Sequence, residues 1–448
     1  MTQNSRQLAF LALRTIKKGA FADVAVDKVL HQTELSAVDR RLLTELVYGC
    51  VRRQRTLDAL IDQLATKKTQ QPPDLRIILQ LGLYQLRYLN QIPPSAAVNT
   101  TVELAKQNGF SGLTGFVNGL LRQYLRSSEA SPSDPLQLPD DPIERLGVLH
   151  SFPDWIMQVW LDQFGIAETE RLCEYMNQPP HIDLRVNTLR SSLTQVEAAM
   201  QSAGIQVQRV PHLPQALRLP QGSGAIQKLP GFQEGWWIVQ DSSAQLVGYL
   251  VDPQSGETIA DACAAPGGKT MHLAELMADS GTVWACDRTP SRLKRLQQNV
   301  DRLSLKSIQI CIGDSRELPQ FLGQCDRVLI DAPCSGLGTL NRHADARWRQ
   351  TPETVQELSQ LQREILNHTA FWVKPNGILV YATCTLHPAE NESVIQDFLS
   401  QNPDWSVDRP ASNSPIAPFL KPEGWAKVLP HQQGMDGFFM IRLKRVQG

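Results

Sequence analysis

The chain has 448 residues, of which 42% are hydrophobic and 20% charged, with a formal net charge of −1. That is the composition of a globular protein too long for one ordinary core, so two or three domains are expected. No apolar run approaches the roughly 20 residues that span a bilayer, and Met1–Arg6 leads into a mixed amphipathic segment, not a signal-peptide core. The eight cysteines are scattered without a Cys-x-x-Cys pair. No structural zinc site is expected, and free thiols in a reducing cytoplasm are.

Residues 1–130 read as an all-helical domain. Leu42, Leu43, Leu46, Val47 and Val51 follow helical spacing, as do Ile77, Ile78, Leu81, Leu83 and Leu86 after Pro72-Pro73. Further helices are predicted near Ala96–Asn108 and Leu113–Leu125. This stretch carries 17 Lys+Arg against 10 Asp+Glu (+7), and the remainder 27 against 35 (−8). Arg40-Arg41, Arg52-Arg53-Gln54-Arg55 and Lys67-Lys68 are its basic clusters. The asymmetry suits an anionic partner such as nucleic acid, although a solvated helical surface has the same composition.

Residues 131–144, rich in Ser, Pro and Asp, read as a linker. Residues 145–250 then give mixed signals: a helix opening at Pro153-Asp154-Trp155, an alternating strand over His181–Asn187, a helix over Ser192–Ala203 and a strand near Trp236-Trp237-Ile238-Val239. A small α+β module fits them. From 251 to 448 strands and helices alternate. Strands are predicted at Thr258–Ala262, Thr282–Cys286, Ile308–Ile312, Arg327–Ile330 and Gly377–Ala382. Helices fall near Lys269–Ala278, Pro290–Leu303, Pro352–Trp372 and Pro388–Gln401. The pattern predicts an α/β Rossmann-like domain on a doubly wound parallel sheet.

Ligands of such a sheet bind at the C-terminal ends of its strands. The first turn there, Asp261-Ala262-Cys263-Ala264-Ala265-Pro266-Gly267-Gly268-Lys269-Thr270, puts two glycines before a helix N-terminus that favours a negative group. Asp287 ends the next strand, about 20 residues on, where a carboxylate takes a ribose diol. Asp314 follows the third strand and suits either an adenine amino group or a helix N-cap. The dinucleotide and Walker patterns are absent, and these residues leave the cofactor open.

Two more turns carry thiols: Asp331-Ala332-Pro333-Cys334-Ser335-Gly336 and Tyr381-Ala382-Thr383-Cys384-Thr385. A thiolate adding to carbon 6 of a pyrimidine makes carbon 5 nucleophilic towards a methyl sulfonium, and a second group then assists release. Asp331 suits the stabilisation of a charged base. Position does not say which thiol attacks. Cys50, Cys173, Cys286, Cys311 and Cys325 read as small buried hydrophobes.

The ordered set of glycine turn, Asp287, Asp314, Asp331 with Pro-Cys, and Thr-Cys resembles the RNA (cytosine-5) methyltransferase family in its bacterial Sun/Fmu form. Gln240–Gln245, Asp331–Gly338, Tyr381–Glu392 and Gly434–Phe439 share in the likeness. Pro94–Asn99 and Phe116–Arg122 resemble the NusB RNA-binding fold. The resemblance implies S-adenosylmethionine held by Cys263, Ala264, Ala265, Pro266, Gly267, Gly268 and Lys269, with Asp287 on its ribose, Asp314 on its adenine, and Asp331 between cofactor and base. It implies attack by Cys384 and release assisted by Cys334. The implied substrate is 16S rRNA, free or in an assembly intermediate, at cytosine 967, and the implied enzyme is monomeric. Asn341 and Ala344 stand where the family often has Arg and Pro. Trp348 suits either base stacking or a core. Two other readings weighed against this one are an RNA-binding assembly factor with a vestigial cofactor domain and a DNA cytosine-5 methyltransferase. The complete thiol pair argues against the first. The Thr-Cys motif and the helical N-terminal region argue against the second.

Overall fold

The structure, a computed structural model, describes residues 4–65, 71–130 and 134–446. The Lys67-Lys68 cluster lies outside the described residues. Two units emerge: Met1–Gln178 with Leu340–Arg349, and Pro179–Thr339 with Gln350–Gly448.

The first unit is helical: α1 (Ser5–Lys17), α2 (Ala22–His31), α3 (Ala37–Arg52), α4 (Gln54–Leu64), α5 (Pro73–Tyr88), α6 (Pro94–Gln107), α7 (Thr114–Ala130), α8 (Pro142–His150) and α9 (Asp154–Met176). Their ends follow local chemistry. Ser36 caps α3 by accepting the Asp39 N–H at 3.1 Å. Proline opens α5 and α6, where its missing N–H costs nothing. The apolar faces meet in one core that includes Leu43, Leu46, Leu57, Ile61, Ile78 and Leu121. Segment Leu340–Arg349 packs within this unit. Trp348 joins its core and donates its indole N–H to the Val51 carbonyl at 2.8 Å, so of its two readings the core one holds. Arg347 is fully buried and stacks on Phe152 at 4.1 Å.

The second unit begins with a four-stranded antiparallel sheet of order β2-β3-β1-β4, formed by β1 (Ile182–Val186), β2 (Gln208–Arg209), β3 (Ala216–Leu219) and β4 (Trp237–Val239). Helix α10 (Leu193–Ser202) supplies Val196 and Met200 to its core. After α11 (Ser242–Val251) come β5 (Thr258–Asp261), α12 (Gly268–Leu276), β6 (Thr282–Asp287), α13 (Pro290–Leu303), β7 (Ile308–Ile312) and β8 (Cys325–Asp331). Beyond the first unit's inserted segment, which holds the short α14 (Ala346–Arg349), follow α15 (Pro352–Ala370), β9 (Val373–Thr383), α16 (Glu392–Gln401), β10 (Trp405–Val407), β11 (Ala426–Val428), α17 (Pro430–Gln433) and β12 (Phe438–Arg445).

The large sheet runs β10-β12-β9-β8-β5-β6-β7, with β11 beside β12. Strands β7, β6, β5, β8 and β9 are parallel, as expected. Strands β10, β11 and β12 add an antiparallel flank that a wholly parallel sheet did not anticipate. Along β8 and β9 the side chains alternate between two cores. Leu329 and Val380 face one, and Val328, Ile330, Leu379 and Tyr381 the other. That two-sided burial explains their unbroken apolar runs. Of the five cysteines read as buried hydrophobes, Cys50, Cys173, Cys286 and Cys325 are buried. Cys311 is only half-buried, because β7 is the last strand on its side of the sheet.

Candidate active site

Parallel register brings the C-terminal ends of β5, β6, β8 and β9 to one edge. Asp261 pairs in register with Leu329 and Ala285, and Asp331 with Ala382. Cys263–Lys269, Asp287, Asp331, Cys334 and Cys384 lie on that edge or in the turns that leave it, and Asp314 lies in the turn after the neighbouring β7.

The turn after β5 is tightly built. Ala264 donates its N–H to the Cys286 carbonyl (2.9 Å) and Ala265 to Asp287 Oδ2 (3.3 Å). The Ala265–Pro266 bond is cis, and Gly267 has φ +101°. A Cβ at Gly267 would also stand 2.6 Å from Leu296 Cγ, so only glycine fits here. Cys263 is half-buried in this turn, and burial pushes its thiol well up. Beneath the turn, Asp261 is fully buried and accepts the Thr270 hydroxyl at 2.7 Å; burial pushes its carboxyl up to about 7.

One network in this region escaped sequence reasoning. Arg185, on β1, is fully buried. It donates to both Glu275 carboxylate oxygens (2.9 and 2.8 Å), to Gln240 Oε1 and to the Gly268 carbonyl (2.6 Å). The antiparallel module thereby holds the start of α12. Arg185 takes a regular polar position in the alternating strand, so the local sequence carried no signal of its burial.

Three carboxylates follow the turn around the edge. Asp287, at the end of β6, is buried; Oδ1 accepts the Thr289 N–H at 2.8 Å, and Arg292 lies 3.4 Å from Oδ2. Asp314 is held by Arg316, with Nη2 at 2.7 Å and Nε at 3.0 Å, and these hydrogen bonds pull its carboxyl down to about 2. Asp331 ends β8 and pairs with Lys269 Nζ at 2.7 Å. Burial opposes the Lys269 charge, but Asp331, with Cys384 and Asp261 adding to it, raises the ammonium's pKa.

The two thiols meet. Cys334 Sγ lies 3.4 Å from Cys384 Sγ, and both are half-buried. The hydrogen bond with Cys384, burial and the nearby Glu390 carboxylate together push the Cys334 thiol well up. Gly338 seals the approach: its N–H donates to the Cys384 carbonyl at 2.9 Å, and a Cβ there would lie 2.1 Å from the Gly437 carbonyl oxygen. That close approach accounts for the glycine in each of two distant motifs. Glu390, which sequence reasoning left without a role, is fully buried beside the thiols.

The chemistry of these residues fits S-adenosylmethionine, whose ribose hydroxyls and adenine amino group need acceptors such as carboxylates. Its carboxylate suits the N-terminus of α12.

Residues 248–444 match the family described as 16S rRNA methyltransferase RsmB/F, residues 3–126 the NusB family, and residues 152–225 the ferredoxin-like domain of RsmF/B-like methyltransferases. The chain is 50% identical over 447 residues, 99% of each chain, to the probable ribosomal RNA small subunit methyltransferase B of Synechocystis. It is 37% identical to ribosomal RNA small subunit methyltransferase B of Klebsiella pneumoniae, covering 98% of this chain and 99% of that one. The crystal structure of PH0851 superposes with a TM-score of 0.81 at 28% identity, covering 99% of this chain and all of that one. Identity at one residue in two along the whole of both chains establishes the kinship: the chain belongs to the RsmB/F family of 16S rRNA methyltransferases, whose methyl donor is S-adenosylmethionine.

Proposed function

We propose that the protein methylates carbon 5 of a cytosine in 16S rRNA, at position 967, through a covalent Cys384–cytosine intermediate. The observation that carries this reading is the contact of two thiols, 3.4 Å apart, at the ends of adjacent parallel strands and on the edge that also holds Asp331. The cofactor supplies an electrophilic methyl group. Cys384, as thiolate, adds to carbon 6 of the cytosine, and the displaced electron pair makes carbon 5 nucleophilic. Asp331, oriented by Lys269, accepts a hydrogen bond from the base protonated at N3, so the electron pair that the thiolate pushes into the ring leaves it neutral. After methylation, water takes the carbon 5 proton and that electron pair closes the ring double bond. The carbon–sulfur pair returns to Cys384, whose sulfur accepts a hydrogen bond from the Cys334 thiol.

The target base must leave its stack to reach this edge. Residues 1–130 and the module at 145–250 supply RNA contacts, and 251–448 the chemistry. The +7 balance of the first region predicts salt-sensitive binding. The protein acts as a monomer in the cytoplasm, on rRNA or an assembling small subunit.

The test uses 16S rRNA, labelled S-adenosylmethionine and three proteins. Wild type transfers label to the RNA. Cys384→Ala transfers none, and Cys334→Ala accumulates an RNA–protein adduct. Methyl transfer by Cys384→Ala at the wild-type rate would sink the covalent mechanism.

A further inference from the structure

Sequence patterning predicts one helix over Pro388–Gln401, but the structure breaks it. A single 3-10 turn, Pro388–Glu390, ends at Asn391 (φ −121°, ψ −97°), and only then does α16 begin. The break is fastened on both sides. Asn391 accepts the Thr383 hydroxyl at 2.6 Å and donates to the Thr385 carbonyl at 3.0 Å, and the Tyr381 hydroxyl donates to the Glu390 carbonyl at 2.6 Å. All three partners flank Cys384.

The break aims the Glu390 side chain at the other thiol's loop. Oε1 accepts the Ser335 N–H at 2.8 Å and the Gln362 amide at 3.0 Å, and Oε2 accepts the Ser335 hydroxyl. The Ser335 hydroxyl also lies 2.8 Å from the Thr385 hydroxyl. Glu390 therefore joins the residue after Cys334 to the segment after Cys384. It is fully buried, with no cation among its hydrogen-bond partners, and burial raises its pKa. A carboxylate desolvated in this way is costly, and three hydrogen bonds, from the Ser335 N–H and hydroxyl and the Gln362 amide of α15, offset that cost. Such an arrangement is out of proportion to holding one short loop in place.

We propose that Glu390 is a positioning residue for the release step: it clamps the Cys334 loop onto the Cys384 loop and so keeps the two sulfurs in contact. The proposal rests on the reading of Cys384 as nucleophile and Cys334 as release group. Glu390 touches neither sulfur through a hydrogen bond and acts through Ser335. Adduct formation needs Cys384, whose loop is held independently by Asn391. Release needs both sulfurs in register, and misplacement by about 1 Å is enough to slow such a step 100-fold.

Two RNAs separate formation from release. On 16S rRNA transcribed with 5-fluorocytidine and with S-adenosylmethionine present, the methylated adduct has no carbon 5 proton to lose, so its appearance measures attack and methyl transfer without release. On unmodified 16S rRNA, steady-state adduct and turnover measure release. Glu390→Ala and Glu390→Asp, whose carboxylate falls short of Ser335, are expected to attack at the wild-type rate. They should release roughly 10- to 100-fold more slowly, with adduct visible on a denaturing gel. Glu390→Gln keeps an acceptor for Ser335 and should restore most of the release rate. If Glu390→Ala fails to fold, Glu390→Asp decides. Wild-type release in the folded variants overturns the proposal, as does a loss of attack equal to the loss of release. Absence of any adduct between wild type and the fluorinated RNA would instead remove the covalent mechanism on which the proposal stands.

Discussion

Lys269 Nζ lies 2.7 Å from Asp331 Oδ2, an ion pair that ties the first turn of α12 to the end of β8. Lys269 also lies over the ring of Phe438, 4.8 Å from its centroid, so its position is set from two sides. The pair is partly open, with side-chain exposures of 11% and 32%. The exposed end of Asp331 faces a ligand, and Lys269 orients it. Asp331→Asn keeps an acceptor for Lys269 but leaves its mostly buried ammonium unpaired, so the melting temperature should fall, while methyl incorporation into 16S rRNA per folded protein falls about 10²- to 10³-fold, the usual loss for one preorganised electrostatic group. Incorporation within threefold of wild type would place Asp331 outside the chemistry.

The Arg185–Glu275 pair makes a prediction about stability, because both side chains are fully buried. Glu275→Ala strands the guanidinium and should cost about 3–5 kcal/mol, read as a lower urea midpoint. Arg185 also binds the Gly268 carbonyl, so calorimetric affinity for S-adenosylmethionine should fall with it. A variant with an unchanged midpoint would show that water reaches the pair.

Asp261 predicts a pH dependence. Burial raises its folded pKa to about 7, above the ordinary carboxyl value of 3.8. Between those values the native state holds a proton that the unfolded chain has lost, so stability declines as pH rises from near 4 to near 7 and is level beyond. Asp261→Asn keeps an acceptor for the Thr270 hydroxyl and removes the ionisation. Unfolding free energy measured across this range should lose the Asp261 contribution to the slope. An identical slope in both proteins would assign the dependence elsewhere.

In the first unit, Arg347 donates to the carbonyls of Arg52, Ser151, Met176 and Leu340 at 3.2 Å and to Asn177 Oδ1 at 2.9 Å. Arg347→Lys keeps the charge but offers at most three donors from a single point. Leaving two buried acceptors unmet should cost about 2–5 kcal/mol in thermal or urea unfolding. Wild-type stability would mean that the carbonyls find other donors.

Much of this edge was legible in the chain. Gly267 is glycine because φ +101° and Leu296 leave no room for a side chain, and Asp287, Asp331 and Cys384 end or directly follow apolar runs that two-sided burial makes readable. Helix starts at Pro73 and Pro94 follow from chemistry within one turn of chain. The broken helix at Asn391 was not legible. Its residues suit a continuous helix, and the groups that reward the break sit on β9 and in the Cys334 loop. Strands β10, β11 and β12 were missed for a related reason: two are three residues long, and β12 pairs with β9 and β10, which lie far back along the chain.

By itself, then, the sequence determined the helices of residues 1–130, the strands of the parallel sheet, the turn at Gly267 and the order of carboxylates and thiols along one sheet edge. These depend on backbone sterics and side-chain period, which act between near neighbours. Only the tertiary structure decided that Cys334 meets Cys384, that Glu390 holds Ser335, that Arg185 reaches Gly268 and that Trp348 belongs to a core. Those contacts join residues 50 or more positions apart. Their energies come from which polar groups are buried together, and burial is a property of the folded chain, not of any stretch of it.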